Sequence, residues 1–261
     1  MTPESYSETT EETEIAKPAN YFSILGNLFF SPGKAFKEVS RSPLLLWPII
    51  GLIVVGLLGG YVTSRLIDMS SILNAQVETA VAQGQMTQQQ ADEAIERMAA
   101  SPIAKWAGYA TIVTSPLGML FMALVIAGVF KLITMLVSAE NSFRGVFSAT
   151  LFAMTPYYIV YYALFAIVSS FKDTRGLSAS DLRSFVGSNL GAFLSKDALP
   201  KFFMHFAGFI DIFAIWAISL LSIGYAAVSQ KLKTSTAAAW LATLYLLIAI
   251  LVSAVQSMLG R

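Results

Sequence analysis

The chain has 261 residues, 56% hydrophobic and 13% charged, with a net charge of +1 and no cysteine. A soluble domain carries about a quarter charged residues, so a large soluble domain is excluded, and the near-zero net charge gives no electrostatic case for nucleic acid binding. The missing cysteines remove disulfides, thiolate metal sites and lipidated cysteines.

Residues 1–19 open the chain with Glu4, Glu8, Glu11, Glu12 and Glu14 and no basic residue before Lys17. A signal peptide needs a basic start and an early apolar core. The segment reads as a disordered acidic tail. Residues 20–43 read as an interfacial amphipathic segment. Tyr21–Phe30 is apolar but too short to span, and Phe22, Leu25, Phe29 and Phe30 suggest a helix in the interface plane. Ser31 suits an N-cap and Pro32 a first helical position, which predicts a second short helix over 33–40. There Ala35, Phe36 and Val39 are expected to face lipid, with Lys34, Lys37 and Arg41 at the headgroups.

Residues 44–260 read as a five-span membrane domain. A helix needs about 20 apolar residues to cross the hydrocarbon core, and every backbone polar group in lipid must be satisfied within the segment. Five runs qualify, at about 44–64, 106–137, 146–171, 208–229 and 236–258. In the first, Gly56 and Gly60 permit close approach of another helix, a weak signal for a dimer face. Residues 65–105 form a long loop. Helical spacing over 71–82 and 87–100, a Gln83-Gly84-Gln85 break and a Thr87/Gln90 capping box predict a helical hairpin beside the membrane.

Ser115-Pro116 is expected to kink the second span, and Lys131 to snorkel towards the interface. The short link 138–145, with Glu140, Asn141 and Arg144, makes the second and third spans antiparallel neighbours. Salt bridging and helix-end satisfaction account for its polar residues. Pro156 removes a helix hydrogen bond, predicting a kink or break in the third span. Tyr157 and Tyr161, one turn apart, share a face. They line a cavity, pair with another helix, or belong to an interfacial aromatic belt. In the second long loop, 172–201, Ser178 and Ser180 offer helix starts, and Leu182, Phe185, Val186 and Leu190 form an apolar stripe. The link 230–236 carries Lys231 and Lys233, and the last span ends near the C-terminus without a soluble tail.

Chemistry is sparse. His205 is the only histidine, in an aromatic stretch, and the chain lacks HExxH, Walker-type and GxSxG motifs. Ion-coupled transport needs several membrane-embedded acids or bases; here Asp211 stands at one end of its span, with Lys131 the other candidate. Asp211 reads first as a helix cap or pin, with a tyrosine as a candidate bonding partner, and second as a functional acid. No catalytic, cofactor-binding or metal-binding residue is identified, and no cofactor is expected.

Several short motifs recur in a set order. Phe30-Ser31-Pro32-Gly33-Lys34-Ala35-Phe36 precedes the first span. Asn141-Ser142-Phe143 with Phe147 opens the third, and Thr155-Pro156 lies within it. The fourth carries Asp211-Ile212-Phe213-Ala214-Ile215-Trp216 and Gly224, and the fifth comes after Lys233, with Ala239-Trp240. Over roughly residues 21–258 this resembles the prokaryotic branch of the Yip family, the five-span Ypt/Rab-interacting membrane proteins. The resemblance implies a cytoplasmic N-terminus and an outer C-terminus. It also implies the family's general roles, since eukaryotic relatives bind prenylated Rab GTPases and act in vesicle traffic and membrane shaping. Their Asp-Leu-x-Gly-Pro motif is absent here; Ser42-Pro43-Leu44 and Trp47-Pro48 stand in its place. The family has no accepted active site, so no catalytic residue carries over.

The termini are expected on opposite sides of the membrane. Seven basic residues flank the spans on each side, and the short basic links favour a cytoplasmic N-terminus. The reading is therefore a non-enzymatic, multi-pass protein of the cell membrane that organises membrane or scaffolds partners. The alternative is a transporter or an accessory subunit of a permease or export complex. Expected partners are membrane lipids and membrane proteins of unknown identity, with a second copy of the chain as a further candidate.

Overall fold

The computed structural model describes residues 20–66, 69–136, 139–172, 184–195 and 198–258. The acidic segment 1–19, Ser178, Ser180 and Leu182 of the second loop, and the last residues of the membrane domain lie outside the described residues. The described residues are all-helical apart from two isolated antiparallel bridges.

Two short helices open the fold, α1 (Tyr21–Phe30) and α2 (Pro32–Arg41). Among the described residues, four helices are long and apolar enough to cross a membrane. These are α3 (Leu46–Leu66), α6 (Pro102–Leu136), α7 (Phe143–Ser169) and α10 (Thr234–Met258). The fifth expected span is shorter than predicted. Helix α9 covers Ile212–Val228, 17 apolar residues or about 26 Å, at the lower limit for a crossing. Residues 208–211 belong instead to the link from α8 (Lys201–Ala207). Pro116 and Pro156 both sit inside continuous helices, so neither breaks its span.

The first loop forms the expected hairpin of α4 (Met69–Ala82) and α5 (Gln88–Ala100). Thr87 Oγ1 accepts from Gln90 N–H at 3.3 Å, and the Gln90 side chain accepts from Thr87 N–H at 2.9 Å. Gly84, at φ +69°, ends α4. The Gln85 and Gly84 amides close back on the Ala80 and Val81 carbonyls, a Schellman motif that requires a left-handed residue.

Helix α7 is the centre of the bundle. It touches α1, α2, α3, α6 and α9, and residues 145, 146 and 148–156 are buried. Helix α9 packs on α7, α10 and α2. Tyr225 of α9 is fully buried; its ring stacks on Phe130 of α6 at 3.7 Å and its hydroxyl bonds Thr150 of α7 at 2.8 Å. Two spans are thereby pinned to a third by one side chain.

The N-terminal segment departs from its expected place. The Ala35, Phe36 and Val39 side of α2 does not face lipid; all three are fully buried against the protein. The Phe36 ring lies over Gly224 of α9, where an added Cβ would come within 2.8 Å of it. Tyr21, Ile24 and Leu28 of α1 join the same core, with Tyr21 against Gly51 and Phe152. Burial raises the Tyr21 phenol above its ordinary pKa, so it packs as a neutral group. Phe22 and Phe30 point outward, at 74% and 90% exposure, and Phe29 is partly exposed beside Trp216. An apolar stripe serves a protein core and an acyl layer equally well; the glycine at 224 supplies the protein surface that α2 selects.

Gly56 and Gly60 find their partner within the chain. A Cβ on Gly56 would meet the Pro116 backbone at 2.6 Å, and one on Gly60 the Ile112 Cα at 2.8 Å. The pair forms the α3–α6 crossing. Overpacking such a contact costs about 1–3 kcal/mol, so Gly56→Leu should lower the thermal midpoint in detergent. Gly118→Ala, with no atom within 4 Å of the added methyl, should leave it unchanged. Equal midpoints for the two variants would refute the close crossing.

Candidate functional site

Polar chemistry within the bundle gathers at the two ends of α9. Asp211 is its N-cap. Asp211 Oδ1 accepts from the Phe213 amide at 2.7 Å, and Oδ2 accepts from Ser188 Oγ at 2.7 Å. The backbone adds a short antiparallel bridge: Ile212 N donates to Ser188 O at 3.1 Å, and Leu190 N donates to Ile210 O at 2.9 Å. Buried Asn189 holds the loop in shape, its Oδ1 accepting from the Ala192 amide at 3.1 Å and from Ser184 Oγ at 3.3 Å. The expected bond from Asp211 to a tyrosine is replaced by the one from Ser188. A carboxylate at a helix N-terminus also faces the positive end of the helix dipole.

The other end is built alike. Ser229 comes directly after α9 and forms an antiparallel bridge with Asn141, whose Nδ2 donates to Ser229 Oγ at 3.0 Å. The Gln230 amide donates to Glu140 O at 2.8 Å. Lys131 does not simply snorkel. Its Nζ donates to Asn141 O at 2.7 Å and to Asn141 Oδ1 at 2.9 Å, tying α6 to the same junction. Among the described residues no salt bridge holds this link. Arg144 Nε donates to the Pro43 carbonyl at 3.2 Å, and Ser148 Oγ donates to Leu44 O at 2.7 Å, fixing the α2–α3 connection to α7.

Tyr157 and Tyr161 stack at 6.1 Å, and both meet the edge or face of Phe213, at 6.2 and 6.4 Å. They pair with α9, one of the alternatives that their spacing left open. Tyr158 and Tyr162 turn the other way, into the cluster around Leu52, with Tyr162 against Gly59. Trp216 packs beside Phe29. Pro156 is buried in the middle of α7, and Pro116 sits at the α3–α6 crossing. Phe29, Pro32 and Phe36 belong to the docked N-terminal pair rather than to one common lipid face. The candidates therefore do not converge on one centre. Asp211, Tyr157 and Tyr161 meet at one end of α9 through Phe213, Lys131 lies at the other end, and Pro116 lies apart. Ser188, Asn189 and Ser229 complete the two junctions and were not singled out from sequence. Small polar residues next to apolar runs are common, and the signal lies in a pairing across 23 or 88 residues.

Apolar helices of spanning length, joined by polar junctions and packed aromatics, define a helical multi-pass membrane protein. The Yip1 domain family model matches residues 26–255, nearly the whole chain, and the protein belongs to that family. No curated protein and no solved structure matches it.

The cap geometry separates two substitutions at Asp211. Asparagine caps a helix about as well as aspartate, so Asp211→Asn should unfold within about 0.5 kcal/mol of wild type. Asp211→Leu loses both side-chain bonds and should cost on the order of 1 kcal/mol, the scale of interhelical bonds in membranes. Thermal unfolding in detergent makes the comparison, and a fully stable leucine variant would remove the junction's structural role.

Proposed function

We propose that this protein is a non-enzymatic membrane organiser, a rigid multi-helix platform whose outward faces meet lipid and partner membrane proteins. The observation that carries the reading is the use made of polar groups. Asp211, Lys131, Asn141 and Ser229 are each committed to holding α9 and its neighbours. A transport path needs such groups to exchange partners, and the aromatic faces beside Asp211 close on Phe213. Outward aromatic residues, by contrast, are plentiful: Phe22 and Phe30 on α1, Trp106 and Tyr109 on α6, and Phe203 on α8. Family membership supports a membrane protein that works with other membrane proteins.

The reading places the protein in the cell membrane with the N-terminus in the cytoplasm. The Asn141–Ser229 end would then be cytoplasmic, and the α4–α5 hairpin outside. The chain has no native cysteine, so introduced ones report cleanly. Gln85→Cys should react with an impermeant thiol reagent applied to intact cells, and Ser235→Cys should react only after lysis; the reverse pattern would invert the topology. The organiser reading itself is tested by purification in mild detergent and by reconstitution. A stoichiometric membrane-protein partner, lost on Phe22→Ser/Phe30→Ser, supports it. Solute flux in proteoliposomes that is abolished by a stably folded Asp211→Asn would overturn it in favour of a transporter.

A further inference from the structure

Docking of α2 has a consequence for charge. Its apolar side is used up in the protein, so Lys34, Lys37 and Arg41 are held facing outward on a fixed helix. The same end of the bundle carries exposed Arg144 at the start of α7, and exposed Lys231 and Lys233 between α9 and α10. Among the described residues Glu38 and Glu140 are the acids there, so six exposed bases stand against two acids; the sequence before α1 adds Lys17 and five glutamates. The opposite end differs. The described residues of 65–105 and 172–211 hold five bases and five acids. Among the described residues, the one ion pair joins Arg97 to Glu93 on that opposite side.

The backbone segments that carry the six cations are tied to one another. The connection after Arg41 is tied to Arg144 through the Pro43 carbonyl. The α9–α10 link is tied to the α6–α7 link through Asn141–Ser229 and Gln230–Glu140. Lys231 sits at φ +61°, a left-handed conformation that a long side chain rarely adopts. Next to this cationic face, α1 presents Phe22 and Phe30 outward. An apolar aromatic surface beside a surface of cations matches the acyl boundary and the headgroup layer of one leaflet.

We propose that this end of the protein is a docking surface for anionic phospholipid headgroups, with α2 and the α9–α10 link supplying the cations. Phosphate diesters fit the charge, and the adjoining aromatics place the phosphate at a leaflet surface rather than on a soluble ligand. Clusters of four to eight basic residues beside membrane helices bind anionic lipids in this way. The proposal requires only that the chain sit in a bilayer, so it stands or falls apart from the organiser reading.

The full chain, exposed in detergent to equal amounts of phosphatidylglycerol and phosphatidylcholine, is examined for retained lipid by native mass spectrometry. Wild type should retain phosphatidylglycerol preferentially. Lys34→Gln/Lys37→Gln/Arg41→Gln should reduce that preference by at least about tenfold, since each basic residue near the surface contributes measurably. The all-arginine counterpart of the lysines, Lys34→Arg/Lys37→Arg, should keep it. Lys231→Gln/Lys233→Gln tests the second element independently should the triple variant fold poorly. Arg65→Gln/Arg97→Gln, at the other end, should change nothing. Equal retention of both lipids by wild type, an unchanged preference in both glutamine variants of the cationic face, or an equal loss from the Arg65/Arg97 variant would each overturn the proposal.

Discussion

A short apolar helix in a bilayer cannot leave its ends bare. Each end of an α-helix carries four backbone groups without helical partners, and in hydrocarbon an unmet group costs several kcal/mol. Helix α9 has 17 residues, so its ends lie close to the limits of the apolar layer. At the N-terminal end the Ile212 amide donates to Ser188 O and the Phe213 amide to Asp211 Oδ1, and just past the C-terminal end the chain is tied to a loop; at both ends a polar residue flanking the helix pairs in a short antiparallel bridge with a loop asparagine, Asp211 with Asn189 and Ser229 with Asn141. Much of the remaining structure depends on those two ties. They fix the axial position of α9, and that position brings Gly224 under Phe36, Tyr225 between Phe130 and Thr150, and Phe213 between Tyr157 and Tyr161.

Lipid tails are as apolar as leucine, so helices in a membrane gain little by hiding apolar area from one another. Association depends instead on close approach and on buried bonds. Gly51, Gly56, Gly59 and Gly60 thin α3 on the faces it turns to three neighbours, so that Tyr21 of α1, Pro116 and Ile112 of α6 and Tyr162 of α7 lie directly on it. Buried Ser148 and Thr150 commit their hydroxyls to Leu44 O, to Val146 O and to Tyr225. Together these contacts turn α7 into the hub. They also explain why the N-terminal pair docks: α2 brings Phe36 to a glycine, whereas the lipid offers it no comparable fit.

The spans and their order were legible because about 20 uncharged residues in a row have one physical solution in lipid. The capping box at Thr87 was legible because it is local, and so was the glycine turn after α4. The N-terminal segment was legible as helices but not in its placement. A stripe of Ala35, Phe36 and Val39 has the same periodicity whether acyl chains or a protein face receives it. The start of α9 was misplaced because Gly208–Ile210 is as apolar as the helix beyond it; Asp211 was legible as a cap or pin, but its partners, the Phe213 amide and Ser188, were not. Asn189 and Ser229 were illegible for a different reason. Each acts through a partner far along the chain, and nothing in its immediate neighbours marks it.

The central claim is that both ends of α9 are tied in place by backbone pairing to loops, and amide hydrogen exchange of the chain in nanodiscs tests it directly. The amides of Leu190, Ile212 and Gln230, which donate across the two bridges, lie outside the helices or at their first residue. The account predicts protection of these three amides approaching that of the buried stretch of α7. Exchange at the rate of open loops at either bridge would contradict it, because α9 would then be held by its side-chain packing alone.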